Sequence, residues 1–387
     1  MRLNLYAACF LLLPPIGCGS SDDETEPVSD AEPSADVDPP DEENPPTEPE
    51  DEPEDDGPFA ELYRQGIDRY LGLFTPTAAD PLTNGVTNHT FDVSDDGPLC
   101  FTGEPFDMTT RDGDGTKLMI FMQGGGVCSE SACEAFESTT PIPPLGILSP
   151  ATPDNPTADY DVGYLPYCDG TFFAGDRDVD SDDDGVDDRF FRGQQNLSAS
   201  LDVIAERYPS PSKILLIGNS AGGFGTHYAL ALVRRLYPDA PIDLINDSGM
   251  GIQMPGGLDA LVAYHGSEAF FPESCEDCIG DDGNLTNYYK YQLDADTNLR
   301  MALIGSTQDE TFVQAFPLGA EAFEEEVRTM MAELNDAHPV RFGSLINDGD
   351  EHTFVLRRFS FEIAGTTVQQ WVTDMLNASE NWVSRGD

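Results

Sequence analysis

Short apolar runs bounded by polar residues set the frame of this chain. Leu118–Met122 is the first strong one, and Ile214–Ile217, Ile242–Ile245, Met301–Ile304 and Gly343–Ile346 follow. Runs of this length read as strands buried on both faces. Between and after them the apolar spacing changes to the period of a helix, over 194–206, 221–236, 310–334 and 366–382. In the last of these, Val368, Trp371, Val372, Met375 and Leu376 share one face, the spacing of a helix laid on a sheet. Alternation of strand and helix predicts an α/β fold with a doubly wound, mainly parallel sheet. Arg111-Asp-Gly-Asp-Gly-Thr116 predicts a hairpin-type turn before the first strong strand.

The two ends of the chain differ from this middle. Arg2 precedes an apolar stretch, Leu5 to Leu13, too short to span a bilayer as a mature helix. It ends in Ile16-Gly17-Cys18, which resembles a bacterial lipobox with Pro15 in place of the usual leucine. Residues 1–17 are then a lipoprotein signal peptide, and Cys18 the site of lipidation; the alternative is an ordinary cleaved secretion signal. Residues 19–57 hold 18 Asp and Glu, no Lys or Arg, and many Pro. Such a segment buries too little apolar area to offset its ordering entropy, so 18–57 reads as a disordered acidic tether. Residues 58–387 are long enough for one large α/β domain. The expected location is outside the cell, anchored by lipid to a bacterial outer membrane or cell surface, or else secreted.

Charge narrows the partners. The net charge is −53, and without Arg2 and the linker acids about −36 remains on the domain. Bulk attraction to nucleic acid is thereby excluded. Beyond Cys9 and Cys18 there are six cysteines, Cys100, Cys128, Cys133, Cys168, Cys275 and Cys278, an even set that suits disulfides in an exported chain. Cys275-Glu-Asp-Cys278 reads as a small loop staple, with no second C-x-x-C to complete a zinc site. Asp180-Ser-Asp182-Asp-Asp184-Gly185-Val-Asp-Asp188 opens like a calcium loop, but Phe191 stands where the last ligand belongs. The two readings are a structural calcium ion held by Asp180, Asp182, Asp184 and Asp188, and a solvated acidic loop.

The chemistry concentrates at Gly218-Asn-Ser220-Ala-Gly222, a G-x-S-x-G between an apolar strand run and a helical pattern. In that context the serine is a nucleophile on a sharp turn. A serine hydroxyl needs a base, and the base an orienting acid, in the chain order Ser, acid, His. Asp309 follows the Met301–Ile304 strand, and Glu310 and Asp247 are its rivals. His352 follows the Gly343–Ile346 strand; His89, His227, His265 and His338 stand in the wrong order or place. Gln123-Gly124-Gly125-Gly126 follows the first strong strand and suits an oxyanion hole built from the N–H groups of Gly125, Gly126 and Ala221. No cofactor is expected for catalysis.

The chain resembles the pectin acetylesterase family, which also contains the animal carboxylesterase Notum. The likeness runs from about Pro98 to the C-terminus. It is carried by Cys100-Phe-Thr-Gly103, Gly124-Gly-Gly-Val-Cys128, Gly146-Ile-Leu-Ser149, Asn155-Pro156, Tyr167-Cys-Asp-Gly170, Gly175-Asp176, Arg192-Gly193, the serine motif and Asp247-Ser-Gly249. It implies an α/β-hydrolase-like serine carboxylesterase with a Ser-Asp-His triad that removes acyl groups from O-acylated polysaccharide or protein, and the reading taken here is acetyl esters on an extracellular polysaccharide or related polymer. Val127 replaces a tryptophan of the family, and Gln123 stands where an acid is common. A cysteine expected near the histidine is absent, and the acidic insertion is foreign to the pattern. The alternatives are an esterase for lipid or protein-linked acyl groups, and a surface protein that binds without catalysis.

Overall fold

The computed structural model describes residues 57–94, 96–315 and 318–386. The signal peptide, Cys18 and all of the tether but Gly57 lie outside the described residues. Among those described, no helix is long and apolar enough to cross a membrane.

A nine-stranded sheet forms the centre. Its strands are β1 (Ala78–Pro81), β2 (Val86–Thr90), β3 (Asp107–Arg111), β4 (Leu118–Met122), β5 (Asp161–Leu165), β6 (Ile214–Asn219), β7 (Ile242–Asp247), β8 (Leu299–Ser306) and β9 (Phe342–Asn347), in the spatial order β1-β2-β3-β5-β4-β6-β7-β8-β9. From β5 to β9 every pairing is parallel; β1, β2 and β3 pair antiparallel and close one edge. The mainly parallel α/β sheet is thus present.

Strand alternation divides the core. Leu118, Ile120 and Met122 face one layer with Ile214 and Leu216, while Met119 and Phe121 face the other with Leu215 and Ile217. The first layer is covered by α1 (Gly193–Arg207), α2 (Ala221–Leu236), α3 (Gly257–His265) and α4 (Thr286–Ala295). After the short α5 (Glu310–Ala315), α6 (Ala320–Ala337) joins the same layer. The second is covered by α7 (Val368–Leu376), through Val368, Trp371, Val372, Met375 and Leu376 as the spacing predicts, and by irregular chain at Ile147, Leu148 and Phe354. Burial on both faces is why the strands carry nearly unbroken apolar runs.

Three expectations need correction. The turn at 111–116 does not close a hairpin, because β5 lies between β3 and β4. Asp161 accepts a bond from Gly113 N–H at 2.7 Å, and Asp114 N–H donates to the Asp159 carbonyl at 2.8 Å, so the turn is tied to the chain that enters β5. The helical span 310–334 is two helices, the second starting after Gly319 at φ 82°, a backbone that ends helices. The span 366–382 shortens to α7, and Trp382 beyond it packs on Trp371.

The cysteines pair as Cys100–Cys168, Cys128–Cys133 and Cys275–Cys278. The last is the loop staple the spacing predicts.

Candidate active site

β6 runs into α2 through Ser220, which has φ 55° and ψ −123°. Such a backbone costs a non-glycine residue about 1–3 kcal/mol. It persists because the surroundings determine it. Ser220 N–H donates to the Asp247 carbonyl at 2.7 Å, and the Ser220 carbonyl accepts from Gly223 N–H at 2.8 Å. The turn is so tight that a Cβ at Gly218 would lie 2.2 Å from the Gly222 oxygen, and one at Gly222 2.1 Å from the Met122 oxygen. Glycine at both positions is therefore a steric requirement.

The glycine loop lies against this turn. A Cβ on Gly124 would reach within 2.8 Å of Ser220 Cβ. Ala221 is the first residue of α2, so its N–H has no partner within the helix. The N–H groups of Gly125 and Gly126 donate to no protein group among the described residues. Gly126, Ser220 and Ala221 line one cavity of about 900 Å³, walled also by Phe172, Phe224, Leu261 and Phe312. Of the three residues expected to form an oxyanion hole, Gly126 and Ala221 line this cavity with Ser220.

Tyr167-Cys-Asp-Gly170 braces this loop. The Tyr167 hydroxyl donates to the Gly126 carbonyl at 3.0 Å, and Gln123 Oε1 accepts from Tyr167 N–H at 3.1 Å. Asp169 turns the following chain by accepting from Thr171 N–H and Phe173 N–H at 2.8 and 3.2 Å. Burial pushes its carboxyl up to about 6.

Asp309 lies three residues past β8 and is buried. One carboxylate oxygen accepts from Thr311 N–H at 3.0 Å and so caps α5; the other meets His352 Nδ1 at 2.7 Å. His352 follows β9, and Phe312, a wall of the cavity, packs edge-on against its ring at 5.7 Å. Ser220 Oγ makes no hydrogen bond to His352 or any other protein group among the described residues. Such bonds often tighten only when substrate is bound.

The rival acids are used otherwise. Glu310 is exposed and accepts from Gln314 Nε2 at 2.7 Å. Asp247 is fully buried, and its carboxylate accepts from Phe354 N–H at 2.8 Å and Val355 N–H at 2.9 Å. Ser248 Oγ accepts from Thr353 N–H at 3.1 Å. Burial pushes the Asp247 carboxyl up to about 6, against the opposing effect of those N–H bonds. Asp247 thus anchors the backbone that carries His352. Sequence reasoning weighed it only as an acid; nothing in the chain order announces an anchor.

The remaining histidines lie elsewhere. His227 is buried between Gln292 and Asn246, and His265 bonds the Cys128 carbonyl at 2.7 Å; burial pushes both down to about 4. His89 bonds Thr110 within the antiparallel edge, and His338 ends α6. Asp180, Asp182 and Asp184 bring oxygens within 4.8 Å of one another. Asp188 does not join them, a correction to the four-residue set. It sits where the hairpin 177–191 closes, and accepts from Ser181 N–H and Oγ, both at 2.8 Å.

Residues 91–277 match the family model described as Pectinacetylesterase. None of the curated proteins matches the chain. The matched span holds the glycine loop, the brace and Ser220, and ends before Asp309 and His352.

Proposed function

The chain belongs to the pectinacetylesterase family through residues 91–277, which implies a carboxylic ester hydrolase, and on that premise we propose a serine esterase that removes acetyl groups from an extracellular polysaccharide. The observation that carries the proposal is the strained Ser220 on the wall of a cavity, with the hydrogen-bonded Asp309–His352 pair against Phe312, another wall residue of that cavity. In this reading Ser220 Oγ attacks the ester carbonyl carbon while His352 Nε2 takes its proton. The N–H groups of Gly125, Gly126 and Ala221 receive the oxyanion. The intermediate collapses, the C–O bond to the alcohol breaks, and His352 returns the proton to the departing oxygen. Water then attacks the acyl-enzyme with His352 again as base, releasing acetate and Ser220. Asp309 holds the imidazole through Nδ1.

The aromatic walls at Phe172, Phe224 and Phe312 favour a second reading, an acyl group longer than acetyl on a lipid or protein. A series of p-nitrophenyl esters of rising chain length decides between them. Ser220→Ala should lower kcat on p-nitrophenyl acetate by about 10⁴ or more with unchanged thermal unfolding. A variant retaining more than about a tenth of the wild-type rate refutes the nucleophile, and a wild type without activity leaves the binding-only reading. The carboxylates of Asp180, Asp182 and Asp184 support a structural calcium with no part in these steps.

A further inference from the structure

The loop that carries His352 also carries Arg357 and Arg358, and neither forms an ion pair among the described residues. That stands out in a chain whose acids exceed its bases by 53. Arginines elsewhere are matched by carboxylates, Arg192 by Asp178, Arg234 by Asp296 and Arg300 by Asp243.

Arg358 is held in a defined pose. Its backbone N–H donates to the Phe354 carbonyl at 3.0 Å, and its carbonyl accepts from Phe361 N–H at 2.9 Å. One guanidinium nitrogen, Nη1, donates to the carbonyls of His352 at 3.0 Å and Thr353 at 3.3 Å. Both N–H groups of Nη1 are thereby taken. Nε and Nη2 donate to no protein group among the described residues, and on this half-buried side chain both are open to solvent. They form one edge of the planar guanidinium, whose parallel N–H groups match the two oxygens of a carboxylate. Because the opposite corner is already fixed by backbone, little side-chain freedom is left to lose when such a partner binds.

His352 decides which part of the substrate meets that edge. In the esterase reading it hands its proton to the departing alcohol oxygen, so the sugar lies on the side of the histidine. The cavity at Ser220, whose lining contains no Lys, Arg or His, is left for the acyl group. Arg358 is no part of that lining and is bonded to the backbone of His352, so it belongs to the sugar side.

We propose that Arg358 is a specificity-determining residue: its Nε–Nη2 edge binds a carboxylate of an acidic sugar in the acceptor glycan, in the acetylated unit or the one beside it. This rests on the esterase reading above and supplies it with a residue that tells an acidic glycan from a neutral one.

The test uses the full chain at about 0.15 M salt, where exposed charges more than about 8 Å apart are largely screened. The substrates are acetylated polygalacturonate, the same polymer with its carboxylates methyl-esterified, and p-nitrophenyl acetate as a reference without a carboxylate. For the wild type, kcat/KM should be about ten- to a hundredfold higher on the acidic polymer than on its methyl ester. In Arg358→Gln that preference should fall to about threefold or less, mainly through KM on the acidic polymer. Arg358→Lys keeps the charge and a donor for the carbonyls but lacks the paired edge, and should recover only a small part of the preference. Arg357→Gln removes the same charge from an exposed neighbour and should keep most of it. Equal wild-type rates on the two polymers overturn the proposal, and this comparison stands even if Arg358→Gln fails to fold. An equal loss on all three substrates in Arg358→Gln makes Arg358 a support of the His352 loop only and also overturns it. So does an equal loss of preference in Arg357→Gln, which would mean attraction by bulk charge. Absence of p-nitrophenyl acetate hydrolysis by the wild type instead removes the esterase reading itself.

Discussion

Replacing Asp309 and Asp247 in turn by asparagine separates the acid that orients the histidine from the acid that holds its loop. In Asp309→Asn the oxygen that accepts from Thr311 N–H at 3.0 Å can stay in place as the cap of α5. The amide nitrogen then faces His352 Nδ1, where the carboxylate oxygen lay at 2.7 Å. A donor there forces the proton of the neutral imidazole onto Nε2, the nitrogen that must accept from Ser220. The fold should lose no more than about 1 kcal/mol, the worth of a weakened cap. The rate should fall about 10⁴-fold, which is about 5 kcal/mol of transition-state stabilisation. Asp247→Asn reverses the balance. One carboxylate oxygen accepts from both Phe354 N–H and Val355 N–H, and the other lies 3.0 Å from the same Phe354 N–H; in the amide that second place is a nitrogen, which opposes the Phe354 N–H. Hydrogen bonds to a charged group are worth about 1.5–3 kcal/mol each, partly offset because burial already penalises this charge. A net loss of about 1–3 kcal/mol follows, with a rate loss nearer 10²-fold from a displaced His352. The assay is kcat on p-nitrophenyl acetate beside thermal unfolding for both variants. If Asp247→Asn loses about 10⁴ and Asp309→Asn keeps more than about a tenth of the rate, the roles are exchanged and the reasoning fails.

Calcium at about 100 times its Kd should stabilise the fold by about 2.7 kcal/mol if Asp180, Asp182 and Asp184 bind it, raising Tm without changing kcat. No shift in Tm at millimolar calcium refutes the site. Cys18→Ser should release the chain from the membrane fraction or stop its processing, and unchanged membrane fractionation removes the lipid anchor. His227 and His265 are held at about 4, below the unfolded value of about 6.5, so each supports the fold fully above that value and loses this support as pH falls towards 4. The stability penalty of His227→Gln or His265→Gln should therefore shrink between pH 7 and pH 4.5 in denaturant titrations, and a penalty independent of pH refutes their burial as neutral groups.

The site was legible where local chemistry and chain order agree. Gly218 and Gly222 are forced by the approach of strand and helix, so the motif and its geometry are one fact. The strands β4 and β6 to β9 announced themselves because burial on both faces leaves continuous apolar runs. β5 did not, since Gly163 interrupts it; a Cβ there would lie 2.3 Å from Ile204 Cδ1. The exposed edge strand β1 and the half-buried β2 beside it carry no clear apolar alternation, and short strands of that kind look like loops.

Asp247 shows how the sheet itself demands a residue that no motif names. The candidate residues lie beyond the carboxyl ends of four adjacent strands: Ser220 after β6, Asp247 at the end of β7, Asp309 after β8 and His352 after β9. The register sets those ends nearly level, Asn219 beside Asp247 and Ser306 beside Asn347. Neighbouring strands are about 4.8 Å apart, so β9 stands roughly 14 Å from β6, far beyond the reach of one side chain. The chain after β9 must therefore fold back over β8 before its imidazole can serve a serine on β6. Asp309 meets that returning chain above β8, through His352 Nδ1. Asp247 and Ser248 meet it above β7, through the N–H groups of Thr353, Phe354 and Val355. A buried charge is costly at that point, and its carboxyl is pushed up accordingly. One oxygen takes up both consecutive N–H groups, and the other accepts again from Phe354 N–H at 3.0 Å and from Ser248 Oγ at 3.3 Å, so both places call for an acceptor and a carboxylate stands one strand away from the serine without touching the imidazole.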